Sequence, residues 1–403
     1  MTDTTPVPLL EPAAGVPPVV ASAGALDAAV ALLGGGTGPV ALDTERASGY
    51  RYWQRAYLVQ LRREDAGTVL VDPIGLDDLS GLADVLNPLE WVLHAASQDL
   101  PCLAELGLRP TAVFDTELAA RLAGFGRVGL APLVEELLGY HLQKGHGAAD
   151  WSRRPLPADW LTYAALDVEL LLPLRAAIAA ELDTQGKSAW AAEEFEAVRT
   201  AAPVIPRTDS WRRTSGLHRV HQTRQLAAVR ELWQARDQMA RQRDIAPGRV
   251  LPDAAIIDAV LVEPPDEATL LSRPVFSGRS QRRHVKTWLA ALHAARGLPA
   301  TELPSLRAQG ESPPPVNRWP DRDPAAAVRL TAARAALTEI AEHHRLPLQN
   351  LLAPELVRRL CWQPPEPLDA AAVEEELVAG GARRWQCELT AYALTAALSS
   401  PTG

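Results

Sequence analysis

The sequence predicts an α/β domain in the first half of the chain, followed by two small all-α modules. Four apolar runs typical of strands, separated by polar turns, fall within residues 39–95. From Asp99 to Trp190 the pattern is mostly helical, and no strand pattern recurs after about Leu217. At 403 residues, 47% of them hydrophobic, the chain is long enough for about two or three domains with cores of their own.

The α/β domain is expected to span residues 21–205, after a Pro-rich and disordered start at residues 1–20. In chain order, the expected elements are a helix at 26–33, strands at 39–45, 56–62 and 67–71, a helix at 79–86 and a strand at 91–95. Three strands in a meander, then a helix, a further strand and more helices resemble the ribonuclease H kind of α/β arrangement. The pattern does not determine the order of the strands within the sheet.

Two helical modules are expected at residues 215–300 and 325–400, with a Pro-rich linker at residues 301–324 between them. In both modules a long helix leads through a Pro-containing turn to a second helix that begins with Pro. This repetition indicates a weak internal duplication. We expect Trp362 and Trp385 of the second module to be exposed, and this module either contacts partners or only braces the first.

The net charge of −9 hides an uneven distribution of charged residues along the chain. Residues 1–205 hold 14 basic and 27 acidic side chains, residues 206–300 hold 16 and 9, and residues 301–403 hold 10 and 13. A basic module between acidic neighbours attracts phosphates, and an acidic lobe can hold divalent cations. The alternative is that these charges only solvate helix faces.

The cysteines and the hydropathy pattern exclude several classes of protein. Cys102, Cys361 and Cys387 are far apart and show no CxxC spacing, which argues against a disulfide framework or a zinc site. No apolar stretch is long enough to span a bilayer, and the first residues lack the basic region of a signal peptide. We therefore expect a cytoplasmic protein without membrane partners, and a monomer.

Two carboxylates on one predicted strand indicate a metal site. Asp43 and Glu45 are two residues apart, so both side chains leave the same face of the strand. Carboxylates in this arrangement suit a hard divalent cation such as Mg²⁺ or Mn²⁺. The pattern is weak by itself because Asp-x-Glu recurs at or in predicted helices, at Asp115/Glu117 and Asp167/Glu169.

Three further residues are candidates with alternatives left open. Tyr163 and Asp167 are four residues apart on a predicted helix, so they share a face on which a phenol could orient a water molecule. The alternative is a half-buried tyrosine and a surface acid. Asp99 follows the last predicted strand, where it could instead cap a helix. His94 is expected to be a core histidine rather than a ligand.

In order and spacing, the segments LDTE, LHAASQDL and YAALD resemble the three exonuclease motifs of the DEDD superfamily. The tyrosine four residues before the last aspartate is similar to the DEDDy branch. Three further segments resemble the ribonuclease D family in particular: YLVQL, FDTELAARL and QKGHGAADWSRRPL. The two helical modules resemble HRDC domains, the first more clearly through the turns at Pro247 and Pro252.

The resemblance implies a 3′-5′ exoribonuclease that releases nucleoside 5′-monophosphates, with tRNA precursors as an expected substrate. It implies two divalent cations, Mg²⁺ or Mn²⁺. Asp43, Glu45 and Asp167 would hold one ion, and Asp43 and Asp99 the other. Tyr163 would orient the attacking water.

It also implies contacts with single-stranded RNA 3′ ends. Lys144 and Arg153, with Trp151 between them, would meet phosphates near the scissile bond, although Trp151 could equally belong to the core. In the first helical module, a phosphate-binding patch is predicted at Arg279, Arg282, Arg283 and Lys286.

Two alternatives remain open. A DNA 3′-5′ exonuclease would use the same carboxylates, because these motifs do not recognise the 2′-hydroxyl. A catalytically inactive nucleic-acid-binding module could retain the fold.

Overall fold

A computed structural model describes residues 6–143, 145–202, 209–306 and 313–399. The α/β domain holds the strands of the described chain, in two sheets. The strands are β1 (Val7–Leu9), β2 (Val19–Val20), β3 (Thr37–Glu45), β4 (Leu58–Glu64), β5 (Gly67–Val71), β6 (Glu90–Leu93), β7 (Ala112–Asp115) and β8 (Tyr140–Leu142). Within these residues, no helix combines the length and the apolar character needed to cross a membrane.

The main sheet is mixed and has six strands in the order β2-β5-β4-β3-β6-β7. Strands β3, β4 and β5 form the predicted antiparallel meander, and β6 and β7 extend the sheet parallel to β3. The α/β prediction is therefore confirmed. Strand β3 lies inside the sheet, with β4 on one side and β6 on the other, so its end is a fixed platform for functional side chains.

Two strands lie where a mostly helical pattern was expected. β7 has four residues and β8 has three, too few to show an alternating pattern above their surroundings. Each exists through its partner: β7 pairs with β6, and β8 pairs with β1 in a separate two-stranded sheet. Short strands depend on tertiary pairing more than on propensity.

The start of the chain also differs from the expected disorder, because two short segments within residues 6–20, β1 and β2, pair with strands of the α/β domain. β2 lies beside β5, and the N–H of Val7 donates to the carbonyl of Gly139 at 2.8 Å. Main-chain hydrogen bonds need no particular side-chain pattern, so the composition of this segment did not predict them.

Helices cover the sheet, and the most important for the site is α6, which packs against β3, β4 and β5. Asp115 caps α4, since its carboxylate accepts from the N–H groups of Glu117 and Leu118 at 3.0 and 3.1 Å. The helices of this domain are α1 (Ala23–Gly34), α2 (Ser80–Leu86), α3 (Leu100–Glu105), α4 (Thr116–Ala123), α5 (Leu130–Leu138), α6 (Ala158–Glu169), α7 (Leu171–Thr184) and α8 (Ser188–Arg199), with 3₁₀ turns at Pro73–Gly75 and Ala96–Gln98.

Two helical modules follow, as predicted. The first contains α9 (Thr223–Arg243), α10 (Pro247–Val250), α11 (Asp253–Val262), α12 (Glu267–Leu271), α13 (Arg279–Arg283) and α14 (Val285–Gly297), with 3₁₀ turns at Ser210–Arg213, Leu217–Arg219 and Ala300–Glu302. The second contains α15 (Trp319–Arg322), α16 (Pro324–His343), α17 (Leu348–Leu351), α18 (Pro354–Trp362), α19 (Ala370–Ala379) and α20 (Arg384–Leu398), after a 3₁₀ turn at Val316–Arg318.

The two modules share the local design that the sequence indicated. The long helix of each, α9 or α16, is followed by a residue with positive φ, Asp244 at 48° or Arg345 at 53°. In each, a one-turn helix and a longer helix then follow, and prolines stand at or just before their starts. Proline suits these positions because the first helical N–H groups have no intrahelical acceptor.

The modules differ in how they attach to the α/β domain. The first has a hydrophobic core of its own and contacts the α/β domain at the loop after β3. In that contact, the N–H of Ala246 donates to the carbonyl of Tyr50 at 2.9 Å, and Arg249 donates to the carbonyl of Gly49 at 2.7 Å. The second module shares one continuous core with the α/β domain, from Ala41 to Leu398.

Trp385 marks this shared core, and the expectation that it is exposed is wrong. Its side chain is 1% exposed and stacks on Trp190 with ring centroids 5.0 Å apart. Its indole N–H donates to Glu194 at 3.2 Å, and Trp362 is half-buried rather than exposed. Helical spacing reveals an apolar face but not the element that covers it.

Part of the expected linker belongs to the second module. Trp319 is fully buried, and its indole N–H donates to the carbonyl of Pro314 at 2.8 Å. Residues 313–324 are therefore attached to the second module through Trp319, although their Pro-rich composition is typical of a linker; residues 307–312 lie outside the described chain.

Candidate active site

Three carboxylates meet at the end of β3. Asp43 and Glu45 leave the same face of this strand, and Asp167 reaches them from α6, which crosses the sheet there. One oxygen of each carboxylate lies within 4.8 Å of the others. The structure thus brings together three of the four predicted acids in one cluster that could hold a metal ion.

Asp99 lies beside this cluster but is not a member of it. It stands at the amino end of α3, yet its side chain makes no capping hydrogen bond there. Its Oδ1 instead accepts a hydrogen bond from the hydroxyl of Thr44 at 2.5 Å. Thr44 lies between Asp43 and Glu45 on β3, so the hydroxyl ties Asp99 to the strand that carries the other two acids.

Asp115 fixes the turn that brings Asp99 to this place. Its carboxylate accepts from the N–H groups of Ala95 and Ala96 at 3.1 and 2.8 Å, in addition to capping α4. Ala95 has φ of 62°, a left-handed conformation that is uncommon for alanine. Because both carboxylate oxygens of Asp115 bind N–H groups of this turn, Asp115 positions the segment that leads to Asp99.

Burial and mutual repulsion disfavour the charged forms of these acids. Burial, then the charges of Asp99, Asp167 and Glu45, raise the pKa of Asp43 well above its ordinary value. Burial and the charges of Asp167 and Asp99 raise the pKa of Glu45 to about 9. Burial raises the pKa of Asp167 to about 7 and that of Asp99 to about 6.

Within the described residues, no arginine or lysine forms an ion pair with any of these four acids. Buried carboxylates are normally paired with cations or bound to metals. Oxygen ligands without a basic partner are what hard divalent cations prefer. The arrangement therefore fits a divalent metal ion.

Tyr163 lies on the face of α6 that carries Asp167. Its hydroxyl interacts with Asp167 and lowers the pKa of this carboxyl, against the effect of burial. Burial and the neighbouring carboxylates raise the pKa of Tyr163 above its ordinary value, so the phenol stays protonated. The segment before α6 lies directly on the ring, because a Cβ added at Gly145 would be 1.9 Å from Tyr163 Cδ2.

Two clefts open on the carboxylates. One, of about 280 Å³, is lined by polar groups and by apolar side chains of α5, β8 and α7; its polar lining is Asp43, His94, Gln143, Tyr163 and Asp167. The other, of about 270 Å³, lies between the loop after β3 and the segment before α6; its lining includes Glu45, Arg46, Ser48, Gly49 and Gly147. The acids are thus accessible from both sides of the segment that covers Tyr163.

The residues predicted to meet phosphates near this site divide into three cases. Lys144 lies outside the described residues. Trp151 is fully buried and donates its indole N–H to the carbonyl of His146 at 3.2 Å, which favours the core alternative. Arg153 is exposed, with its guanidinium 5.9 Å from the ring centroid of Trp160.

The predicted patch of the first helical module is exposed. Arg279, Arg282 and Arg283 line a shallow surface depression of about 460 Å³, together with Ser277. Lys286 is exposed one turn further, on α14. None of these four side chains forms a salt bridge with an acid in the described part of the chain, so their charges remain available.

Several residues near the site were not predicted. Thr44 holds Asp99, Gln60 donates to Asp43 at 3.4 Å, and Arg46 donates to the carbonyl of Gln98 at 2.7 Å. Thr44 and Arg46 adjoin the predicted acids in sequence, which is the only signal they give. Gln60 gives none, because it reaches Asp43 only through the pairing of β4 with β3.

Comparisons with known families match the three parts of the chain. Family models described as a 3′-5′ exonuclease, an HRDC domain and a 3′ to 5′ exonuclease C-terminal domain match residues 19–183, 225–292 and 312–398. Ribonuclease D of Granulibacter bethesdensis is 34% identical over 289 residues, which cover 69% of this chain and 72% of that protein.

Solved structures extend the similarity to the whole arrangement. A protein from Bifidobacterium adolescentis is 37% identical with a TM-score of 0.91, over 98% of this chain and 100% of that one. Escherichia coli RNase D, described as an exoribonuclease involved in structured RNA processing, is 26% identical with a TM-score of 0.68, over 92% and 98% of the two chains.

Proposed function

Because this chain belongs to the ribonuclease D family and is a 3′-5′ exoribonuclease, we propose that it trims tRNA precursors by hydrolysis assisted by two divalent cations. The observation that carries the proposal is the group of carboxylates at the end of β3, Glu45 buried and Asp43 and Asp167 half-buried, which have no ion-pair partner among the described residues and line a cleft beside Tyr163. Proposed products are nucleoside 5′-monophosphates, released one at a time.

The four acids are assigned to two cations of the Mg²⁺ or Mn²⁺ class. Asp43, Glu45 and Asp167 would hold one, and Asp43 with Asp99 would hold the other. When bound, such ions supply electrostatic stabilisation of the phosphate and lower the pKa of the attacking water. The raised pKa values support this assignment, because a bound cation relieves the repulsion among the four acids in place of protons.

Tyr163 is proposed to position the water that attacks the terminal phosphodiester. Its raised pKa keeps the hydroxyl protonated, so the phenol acts through hydrogen bonds and not as a base. The hydroxyl interacts with Asp167, and the backbone at Gly145 lies against the ring. The side chain is therefore held on two sides, and holding a reactant in place is itself a large part of catalysis.

RNA binding is assigned to the HRDC module and to Arg153. Contacts of Arg279, Arg282, Arg283 and Lys286 with phosphates would position the chain without reading its sequence, which suits trimming of diverse 3′ ends. Lys144 is proposed to act near the scissile phosphate by its place in the motif alone. The three buried free thiols support a cytoplasmic location, and we propose a monomer.

The test is product analysis on a 3′-extended tRNA precursor. With Mg²⁺ or Mn²⁺ present, the extension should shorten stepwise and release nucleoside 5′-monophosphates, and EDTA should stop the reaction. Asp43→Ala should remove activity while leaving RNA binding largely unchanged. Equal or faster loss of a matched DNA 3′ end would reverse the substrate assignment, and no trimming of any single-stranded 3′ end would favour a binding module.

A further inference from the structure

His94 has no part in the mechanism above, although it lines the cleft that holds Asp43, Tyr163 and Asp167. It follows β6 directly and is half-buried, and its Nδ1 lies against the buried Thr116, which leaves the Nε2 edge as the part available to the cleft. It has a hydrogen-bond partner, as expected of a core histidine, but it is half-buried rather than in the core, and it is not a member of the carboxylate cluster. What it offers to a ligand depends on which ring nitrogen carries the proton.

The hydrogen bonds around Thr116 determine this tautomer. The hydroxyl of Thr116 donates its single proton to the carbonyl of Leu93 at 3.1 Å. The same oxygen lies 2.9 Å from Nδ1 of His94, so it must accept a proton from that nitrogen. Nδ1 therefore carries the proton, and Nε2 is left as an unprotonated acceptor.

His94 is also held neutral. Burial lowers the pKa of His94 to about 4, so the ring carries no charge at neutral pH. A neutral Nε2 cannot attract a phosphate, but it can accept a hydrogen bond from a hydroxyl group. In the interior of a nucleic-acid strand, the hydroxyl that RNA has and DNA lacks is the ribose 2′-hydroxyl.

We propose that Nε2 of His94 accepts a hydrogen bond from a ribose 2′-hydroxyl of the bound strand and so favours RNA over DNA. The inference rests on the proposed function, since it explains how the cleft that holds the proposed catalytic residues would recognise RNA. A buried group built to bond a hydroxyl discriminates against an analogue that lacks it, because the group is then left unpaired. The surrounding acids do not duplicate the contact if metal ions engage their oxygens.

The test compares all-RNA oligonucleotides with versions that carry one 2′-deoxy nucleotide at the terminal, penultimate or third position. For the wild-type enzyme, kcat/KM should fall by about 10-fold at one of these positions and little at the others. His94→Asn retains an amide near Thr116 but cannot reach the cleft. The ratio of kcat/KM for the all-RNA oligonucleotide to kcat/KM for the version with 2′-deoxy at that position should therefore fall to about one. His94→Gln extends an amide oxygen toward the place of Nε2 and should restore part of the ratio.

A second readout separates this inference from the function on which it rests. Binding of the same oligonucleotides in Ca²⁺ reports the contact without requiring hydrolysis. An enzyme that trims RNA but shows no position-specific ratio, in rate or in binding, would overturn the role of His94 and leave the proposed function intact. Equal losses on every substrate in His94→Asn would also overturn it, because they would indicate a structural role.

Discussion

Asp244, in the HRDC module, accepts a hydrogen bond from the backbone N–H of Tyr52 at 3.1 Å, across the boundary with the exonuclease domain. The same oxygen accepts from the N–H of Trp53 at 3.1 Å. Tyr52 belongs to the loop after β3, and Arg51 of that loop donates to Ser152 at 2.8 Å, in the segment before α6. The second cleft lies between this loop and the segment before α6. The HRDC module therefore contacts one wall of the cleft directly, and the bond from Arg51 to Ser152 connects that wall to the other.

Asp244→Ala should loosen this loop, because two N–H groups lose their acceptor at a cost of about 1–2 kcal/mol. Amide hydrogen exchange of residues 50–54 should become about 5- to 30-fold faster. Asp244→Asn is the matched control: it keeps an acceptor oxygen and tolerates the φ of 48°. Faster exchange throughout α9 and α11 would instead show that the module itself has unfolded.

The metal-free enzyme should lose stability as the pH rises. The folded-state pKa values of Asp99, Asp167 and Glu45 are raised to about 6, 7 and 9. Groups with raised folded pKa values stabilise the fold fully below their unfolded values, and this stability is lost as pH rises through the folded values. In EDTA, the free energy of unfolding should therefore fall between about pH 5 and pH 9, by up to about 1.4 kcal/mol per pH unit for each titrating group.

Denaturant titrations at several pH values measure this slope. Mg²⁺ or Mn²⁺ should flatten it, because bound cations favour the ionised acids. Asp167→Asn should make the slope in EDTA shallower, since one of the repelling charges is gone. The interpretation of the cluster fails if the curves with metal and with EDTA coincide across the range.

Gly145→Ala should lower kcat strongly while the protein stays folded. The new Cβ would lie 1.9 Å from the ring of Tyr163, so the ring or the segment above it must shift. A displacement of about 1 Å at a catalytic group can cost about 100-fold in rate. Gly126→Ala is the control, because a Cβ there meets no atom within 4 Å. Unchanged activity of Gly145→Ala would mean that the position of this ring does not limit catalysis.

Lys187→Met should weaken the attachment of the second helical module to the exonuclease domain. The ammonium group of Lys187 is buried and donates to the carbonyls of Leu122 and His344 at 2.7 and 2.6 Å, one in each domain. Two buried carbonyls would lose their donor, at about 1–3 kcal/mol each. Urea denaturation followed by tryptophan fluorescence reports the loss, since Trp190 and Trp385 stack at this boundary.

Ser188→Ala is the comparison for that measurement, because the hydroxyl of the exposed Ser188 donates to the nearby Asp183, on the surface. It should leave the midpoint within about 0.5 kcal/mol of wild type. If the free energy of unfolding of Lys187→Met equalled that of Ser188→Ala, the buried lysine would contribute nothing to the contact between the two domains.

The sequence was sufficient to predict the positions of side chains that follow from the regular spacing of residues along one strand or one helix. Alternation along β3 placed Asp43 and Glu45 on one face, and four-residue spacing on α6 placed Tyr163 beside Asp167. The expectations failed where the cause is a distant partner. The burial of Trp385 depends on α8, and the second role of Asp115 depends on a turn that follows a neighbouring strand.

The shared core has a consequence for how the enzyme is made. The apolar faces of α7 and α8 are completed by side chains of the second helical module, as far as Leu398. A ribosome makes that module after the exonuclease and HRDC domains, and domains generally fold as units during synthesis. The HRDC module can close its own core while translation continues, whereas the exonuclease domain reaches its final packing only after the second helical module has been made. Nuclease activity should therefore appear only on chains that already include the second helical module.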